Sequence, residues 1–241
     1  MPRFYCPQPL AVGLTVSLPE AVAHHVQVLR LPLGELVTLF NGEGGEYSAS
    51  LTEIGRRSAS AEVKAHHPRE AELPFAITLA QALPEASKMD WIIEKAVELG
   101  VGAFQPLAAQ RCVVKLNAER AEKKLAHWRG IIESASEQCG RNRLAQLGEL
   151  QDYKQWITQQ NLHRRIILSP RAESSLAEWA RHHAPQAVTL VIGPEGGLSE
   201  QEEEAALRHG ALALSMGPRI LRTETAGLAA AAMLSAAWGG M

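Results

Sequence analysis

The feature that most constrains the fold is an alternation of short apolar runs with longer amphipathic stretches over the larger, C-terminal part of the chain. The runs have the length and composition of buried strands, and the stretches between them carry apolar residues at helical spacing. The runs are Phe75–Leu83, Ala103–Ala109, Arg164–Ser169, Ala187–Gly193 and Ala211–Gly217. Because strands that alternate with helices form parallel sheets, we predict an α/β fold with a largely parallel sheet.

Helix starts are also marked in this region. Ser87 with Asp90, and Ser199 with Glu202, match the capping-box pattern, in which a serine and an acidic side chain satisfy free backbone N–H groups. The longest predicted helix, Asn117–Cys139, carries a stripe of apolar residues on one face, formed by Leu125, Trp128, Ile132 and Ala135.

The N-terminal part of the chain has a different pattern and is rich in β-forming residues. Glu35–Ile54 contains two such runs around glycine-bearing turns, which predicts a hairpin. A short helix is predicted over Glu20–Arg30 and a further strand over Ala59–His66. His67–Pro74 then interrupts the periodicity with charges and two prolines, so we predict a domain boundary there.

Length and composition fit this division. A chain of 241 residues suits two unequal domains, which we place at residues 1–70 and 71–241, and 46% apolar residues are enough to form a sizeable core. The uncharged C-terminal run Ala226–Met241 is shorter than the roughly 20 residues that a membrane span requires. We therefore expect no membrane span.

Cysteine and histidine usage predicts neither a disulfide framework nor a metal site. The three cysteines are far apart and match no metal-ligand spacing, as is typical of a protein in a reducing cytosol. Adjacent side chains on a helix or strand point apart, so a histidine doublet does not chelate a metal. This applies to His24-His25, His66-His67 and His182-His183. We expect a cytoplasmic protein with no bound metal.

Charge is distributed unevenly, although the net charge is only −2. Residues 111–143 contain eight Lys and Arg against four Glu, whereas residues 193–209 contain five Glu against one Arg. The first window is compatible with a basic surface that neutralises phosphates. An ordinary solvated helix face explains the same charges.

Three of the predicted strands end in unusual loops, namely Leu168–Pro170, Gly193–Gly197 and Met216–Arg222. Ligands of open α/β sheets bind outside the carboxyl ends of the strands, and glycines there let the backbone approach a ligand. The sequence contains neither of the common phosphate-binding glycine signatures. Glu195 would repel a phosphate, and it suits a cationic ligand or a ribose hydroxyl.

Four stretches together closely resemble the ribosomal RNA small-subunit methyltransferase E family, the uridine-N3 methyltransferases of the SPOUT class. They are Ile192–Glu202, Leu214–Ala226, Ser87–Val101 and Trp128–Arg141. The resemblance implies a SPOUT α/β-knot domain with a C-terminal trefoil knot, preceded by a small PUA-like β-barrel domain that binds RNA. It also implies S-adenosyl-L-methionine as the cofactor, 16S rRNA of the small ribosomal subunit as the substrate, and a homodimer.

The resemblance implies that the three loops form a cofactor site. The cofactor-binding candidates are Leu168, Gly193, Glu195, Gly196, Gly197, Met216, Gly217, Ile220, Leu221, Arg222 and Thr225. Arg222 is the catalytic candidate, because a fixed cation near the uracil oxygens would stabilise the charge that develops when N3 loses its proton. Pairing of Arg222 with Glu224 or with an RNA phosphate is the alternative. The proton acceptor is Glu195, Glu224 or solvent.

RNA contacts are expected from cations that can reach phosphates. The candidates are Arg3, Arg30, Lys88, Arg111, Lys115, Arg141 and Arg143. The predicted helix Thr223–Trp238 is dominated by small side chains, which suits either a dimer interface or tight packing within one subunit. Two other functions stay open, a SPOUT methyltransferase acting on another RNA and a non-catalytic RNA-binding assembly factor.

Overall fold

The computed structural model describes residues 1–240, which pack as two compact units. The first unit consists of Met1–Glu72 together with Ser136–Leu144. The second consists of Leu73–Ala135 and the residues from Ala145 onward. The chain therefore returns to its first unit once, through a segment distant in sequence.

The first unit contains a five-stranded sheet with the order β1-β3-β4-β5-β2. Its elements are β1 (Arg3–Tyr5), β2 (Thr15–Ser17), α1 (Glu20–Val28), β3 (Leu36–Phe40), β4 (Glu46–Ile54) and β5 (Ala59–His67). β1 pairs with β3 in parallel, and the other pairs are antiparallel. The predicted hairpin, helix and third strand are confirmed. The strands β1 and β2 were not predicted, because three residues are too few to show a period.

The second unit contains a seven-stranded sheet with the order β12-β10-β11-β6-β7-β8, in which β9 also pairs with β7. All of its strand pairs are parallel, which confirms the predicted parallel sheet. Its strands are β6 (Ile77–Ala82), β7 (Ala103–Ala108), β8 (Gln146–Leu147), β9 (Gln151–Asp152), β10 (Arg164–Leu168), β11 (Val188–Ile192) and β12 (Leu212–Leu214). The five longer strands lie within the five apolar runs of the sequence.

Helices connect these strands. They are α2 (Lys88–Glu98), α3 (Ala118–Cys139), α4 (Tyr153–Ile157), α5 (Leu176–His182), α6 (Glu200–Arg208) and α7 (Thr223–Ala237). α2 and α5 both pack against α7, which also contacts β6 and β11. The predicted apolar stripe of α3 is confirmed, since all four of its side chains are buried. A helix was predicted between β10 and β11, where α5 lies, whereas the short helix α4 was not predicted.

The two predicted capping boxes have different outcomes. Ser199 and Glu202 form a complete box at the start of α6, and Glu202 is only 1% exposed. The box predicted for Ser87 is wrong, because that side chain makes no capping hydrogen bond. Asp90 instead accepts hydrogen bonds from two residues of α3, His127 Nε2 at 2.9 Å and Trp128 Nε1 at 2.9 Å. Its carboxylate therefore joins two helices and caps neither.

We expect Asp90→Ala to lower the free energy of unfolding by about 1–3 kcal/mol at neutral pH, since two donors lose their acceptor. Burial alone would raise the pKa of Asp90, but the hydrogen bonds from His127 and Trp128 outweigh it and hold that pKa below its ordinary value. The stabilisation is thus complete above the carboxyl's unfolded pKa of about 4 and is lost as pH falls through its folded value. Denaturant unfolding along a pH series should show the difference from wild type shrinking in acid. A difference independent of pH would contradict the role of the ionised carboxylate.

Within residues 1–240, none of the helices is long and apolar enough to cross a bilayer. The same part of the chain holds no group of three or more His, Cys, Asp and Glu side chains arranged for a metal ion. Cys6, Cys112 and Cys139 are all free thiols.

Candidate functional site at the carboxyl edge of the parallel sheet

A cavity of about 390 Å³ lies where the strands β10 and β11 end. These strands are neighbours in the parallel sheet, and β12 lies on the other side of β10, so the loops that follow the three strands meet at one edge. The cavity is lined mainly by Leu168, Pro170, Gly193, Pro194, Glu195, Gly196, Gly197, Leu198, Glu203, Ile220, Leu221, Arg222 and Glu224. The position agrees with the rule that open α/β sheets bind ligands at this edge.

The glycine loop after β11 is tightly folded at Gly193. A Cβ atom there would lie 2.7 Å from the backbone nitrogen of Leu198 and 2.9 Å from the carbonyl carbon of Gly197. Both neighbours are backbone atoms, which cannot give way as a side chain can. Gly197 has a φ of +68°, a conformation that favours glycine. The loop geometry therefore depends on these two glycines.

A buried chain of hydrogen bonds connects this loop to β6. Thr223 Oγ1 donates to the carbonyl oxygen of Gly193 at 2.6 Å and accepts from Gln81 Nε2 at 2.9 Å. Gln81 is fully buried on β6, and Thr223 is 7% exposed. Neither residue was among the candidates from sequence. The available signal was a lone glutamine within the otherwise apolar run of β6, since buried polar groups need a partner.

Arg111 also holds this loop in place, through hydrogen bonds to its backbone. Its Nη1 donates to the carbonyl oxygen of Gly196 at 2.9 Å and, more weakly, to that of Leu198 at 3.4 Å. The buried Glu202 accepts the backbone N–H of Gln110 at 2.8 Å and so connects the loop after β7 with α6. Arg111 was an RNA-contact candidate, but in this structure it supports the candidate cofactor loop.

Three charged side chains form a cluster beside the cavity. Lys88 Nζ lies 2.6 Å from Glu195 Oε1 and 3.9 Å from Glu224 Oε2. The hydrogen bond to Glu195 raises the pKa of Lys88 above its ordinary value. Burial alone would raise the pKa of Glu195, but the hydrogen bonds from Lys88 and from the backbone of Glu85 outweigh it and lower that pKa. Both groups are therefore charged at neutral pH.

Glu203 is a further carboxylate of the cavity that sequence reasoning missed. Its Oε1 lies 2.9 Å from Arg171 Nη2, and its Oε2 accepts from Ser169 Oγ at 3.3 Å. Glu203 is one of four glutamates on α6, so its sequence context is that of a solvated helix face. Only the packing of α6 beside the loop after β10 distinguishes it from its neighbours.

The structure brings most cofactor candidates together. Eight of them line the cavity, namely Leu168, Gly193, Glu195, Gly196, Gly197, Ile220, Leu221 and Arg222. Met216 and Gly217 line a small adjoining space of about 60 Å³ that shares Leu168, Ile220 and Leu221. Thr225 lies exposed on the first turns of α7 and lines neither space. Ile220 is 85% exposed, so a bound ligand would cover an apolar side chain.

Two of the RNA-contact candidates already form ion pairs within the first unit. Arg3 Nη1 lies 2.6 Å from Glu46 Oε2, and its Nη2 donates to the carbonyl oxygen of Arg141 at 3.1 Å. The side chain of Arg141 is 3% exposed and lies 2.6 Å from Glu72 Oε2. Such cations stabilise the fold of the unit and have little surface for a phosphate.

Three other RNA-contact candidates are exposed, namely Arg30, Lys115 and Arg143. Arg30 follows α1 with a φ of +54°, and the Nε of Arg143 lies 3.5 Å from Glu70 Oε1. Their charged groups are accessible to a large polyanion.

A larger cavity of about 840 Å³ lies at the opposite edge of the sheet. It is formed around the amino ends of β10 and β12 by polar residues such as Asn161, His163, Arg164 and His209. It contains none of the loops that follow the strands. We therefore assign the candidate site to the smaller cavity at the carboxyl edge.

Comparison with known proteins shows two family matches. The family described as RNA methyltransferase domain matches residues 71–235, and the family described as RNA methyltransferase PUA domain matches residues 18–64. Ribosomal RNA small subunit methyltransferase E of Bacillus subtilis is 33% identical over 223 residues, which cover 90% of this chain and 87% of that protein.

Solved structures are similar over almost the whole chain. Ribosomal RNA small subunit methyltransferase E from Neisseria gonorrhoeae, crystallised bound to S-adenosyl methionine, superposes with a TM-score of 0.91 at 40% identity and covers 99% of this chain and 98% of its own. A Legionella pneumophila protein in complex with bound SAM gives a TM-score of 0.93 at 37% identity, with 98% and 97% covered.

Proposed function

Because this chain belongs to the ribosomal RNA small subunit methyltransferase E family, we propose that it transfers a methyl group from S-adenosylmethionine to N3 of a specific uridine in 16S rRNA. The observation that carries the proposal is the convergence of the three strand-end loops on one cavity. A relative with the same fold is solved with S-adenosyl methionine bound. We place the activity in the cytoplasm, on the small ribosomal subunit.

The residues of the cavity fit this cofactor chemically. S-adenosylmethionine carries a positive sulfonium and an ammonium group, and three carboxylates line the cavity, those of Glu195, Glu203 and Glu224. The apolar side chains of Leu168, Ile220 and Leu221 suit the adenosine. The glycine loop offers backbone groups for hydrogen bonds without interference from side chains. No phosphate has to be accommodated, which agrees with the acidic lining.

When bound, S-adenosylmethionine supplies a methyl group on a positively charged sulfur. The chain's contribution is first to hold the uracil N3 in line with that methyl group. Arg222 lines the cavity and makes no ion pair with any residue between 1 and 240, so its guanidinium is available to the uracil oxygens. A cation there stabilises the negative charge that spreads onto those oxygens as the N3 proton leaves.

Four structural features of the family belong to the same proposal. We propose that the three loops form a trefoil knot, that residues 1–70 act as the PUA-like RNA-binding domain, and that residues 71–241 carry the methyltransferase activity. We also propose a homodimer through α7. The half-buried and exposed positions Thr225, Ala229, Ala232 and Ala236 follow one another at helical spacing along this helix, and their small side chains permit a close approach.

Salt dependence tests the RNA part of the proposal. Arg30, Lys115 and Arg143 are exposed cations, and each phosphate contact releases a counterion. We expect the affinity for small subunits to fall steeply as salt rises, and the triple replacement of these residues by glutamine to make the slope of log affinity against log salt shallower. Filter binding over a salt series measures both. A salt-independent affinity would contradict the proposed phosphate contacts.

The proposed function is tested by incubating the purified protein and labelled S-adenosylmethionine with small subunits that lack the modification. Nucleoside mass spectrometry of the recovered 16S rRNA should then identify 3-methyluridine. A methyl group on another base, on a ribose or on transfer RNA would replace the proposal with a different RNA methyltransferase. Calorimetric titration that detects no binding of S-adenosylmethionine would favour a non-catalytic assembly factor.

A further inference from the structure

The most unusual polar atom at the candidate site is Oε2 of Glu224. It is buried, and within residues 1–240 no donor lies in hydrogen-bond range of it. Buried polar atoms are normally hydrogen-bonded, and an acceptor without a donor lowers stability unless a ligand supplies the donor. Glu224 lines the cavity and its side chain is 21% exposed, so a small rotation of the carboxylate would bring this oxygen to a molecule bound there.

The surrounding charges do not satisfy this oxygen. Lys88 is the nearest cation, but its ammonium is hydrogen-bonded to Glu195 at 2.6 Å and lies 3.9 Å from Glu224 Oε2. The other charged residues that line the cavity are Glu203, which is paired with Arg171, and Arg222. Lys88 thus places a positive charge beside the carboxylate of Glu224 but does not occupy its free oxygen.

The pyrimidine edge of uracil presents an N–H donor between two carbonyl oxygens. Its complement is an acceptor beside a donor, and Glu224 and Arg222 provide this pair two residues apart on the wall of the same cavity. We propose that Glu224 accepts the N3–H hydrogen bond of the target uracil and takes its proton during methyl transfer, and that Lys88 positions this carboxylate. The inference rests on the proposed uridine-N3 methylation and identifies its proton acceptor.

The N3–H bond breaks, its proton goes to Glu224 Oε2, and the electron pair on N3 forms a bond with the methyl carbon. The bond between that carbon and sulfur breaks, its electrons stay on sulfur, and the carboxylic acid later returns its proton to solvent. N3 of cytosine carries a lone pair and no proton, so the same carboxylate repels it. Glu224 would therefore also select uracil.

The test is Glu224→Gln, measured by single-turnover methyl transfer at saturating S-adenosylmethionine and by calorimetric titration of the cofactor. We expect unchanged cofactor affinity and a loss of rate of about 10²–10⁴-fold at neutral pH, the usual contribution of a general base. The loss should diminish as pH rises, because uracil N3 then gives up its proton to solvent unaided. Lys88→Ala should lower the rate less, and Lys88→Arg should restore it.

Glu204→Gln is the matched control, since this carboxylate stands on the outer face of α6 and is 67% exposed. It should leave the rate and its pH profile unchanged.

Two results would overturn the proposal. One is a Glu224→Gln rate equal to that of the control. The other is a loss confined to cofactor affinity, which would assign the oxygen to the ammonium of S-adenosylmethionine. Failure of the wild-type protein to produce 3-methyluridine would instead reject the proposed function, before any variant is compared. Thermal unfolding of each variant distinguishes loss of folding from loss of chemistry.

Discussion

Replacing Arg222 with alanine is expected to leave S-adenosylmethionine binding nearly intact while lowering methyl transfer by about 10²–10³-fold, the usual cost of removing one donor that stabilises a developing oxyanion. The expectation follows from its position at the N-terminus of α7, where its side chain lines the cavity and has no carboxylate partner among residues 1–240. Calorimetry measures the binding, and single-turnover transfer to small subunits measures the chemistry.

Arg208→Ala is a suitable control, because it removes an arginine that is 67% exposed on α6 and forms a surface ion pair with Glu204. It should affect neither binding nor rate. Arg222→Lys should recover part of the lost rate, because it keeps the charge but not the planar fork of donors. Full turnover by Arg222→Ala would show that Arg222 has no catalytic role. A loss of small-subunit affinity with an unchanged rate at saturation would reassign it to an RNA phosphate.

The second large effect is expected from Gly193→Ala. The added Cβ would meet the backbone of Leu198 at 2.7 Å and that of Gly197 at 2.9 Å, so the loop has to move. Overpacking of this kind typically costs about 1–3 kcal/mol, which corresponds to a roughly 5- to 150-fold weaker affinity for S-adenosylmethionine if the whole cost falls on the bound loop. Calorimetric titration measures the affinity, and thermal unfolding reports any general destabilisation.

Gly130→Ala provides the comparison for this variant. Gly130 lies within α3, and a Cβ atom there would meet nothing within 4 Å. Alanine at this position should stabilise the helix by about 0.5–1 kcal/mol and leave the cofactor affinity unchanged. If Gly193→Ala bound S-adenosylmethionine as tightly as Gly130→Ala, the tight loop would not be what holds the ligand.

The parallel sheet and the convergence of the three loops on one cavity were predictable because both depend on local patterns. Apolar runs such as Ala187–Gly193 show their strand character within a few residues, and glycines directly after a strand indicate its carboxyl end. Parallel strands bring these ends to the same edge, so three loops that are separated in the sequence could be placed together. The resemblance to a known family added the chemistry, which no period or spacing supplies.

The partners of individual side chains were not predictable. Lys88 and Arg111 stay candidates for RNA contacts, but their partners in the structure, Glu195 and the carbonyl oxygen of Gly196, were not predicted. Charge is visible in a sequence, whereas the group that neutralises it is defined by the tertiary fold. The same reason explains the error at Asp90, whose donors come from a helix more than thirty residues further along the chain.

The hydrogen-bond chain from Gln81 through Thr223 to Gly193 has a consequence for synthesis of the protein. The hydroxyl that secures the glycine loop lies 142 residues after its glutamine partner. A nascent chain that has not yet reached Thr223 would already possess all the strands of the sheet, but the loop would lack its anchor. We expect such unfinished polypeptides to be unable to bind a methyl donor. The protein would therefore become able to methylate RNA only late in its own translation.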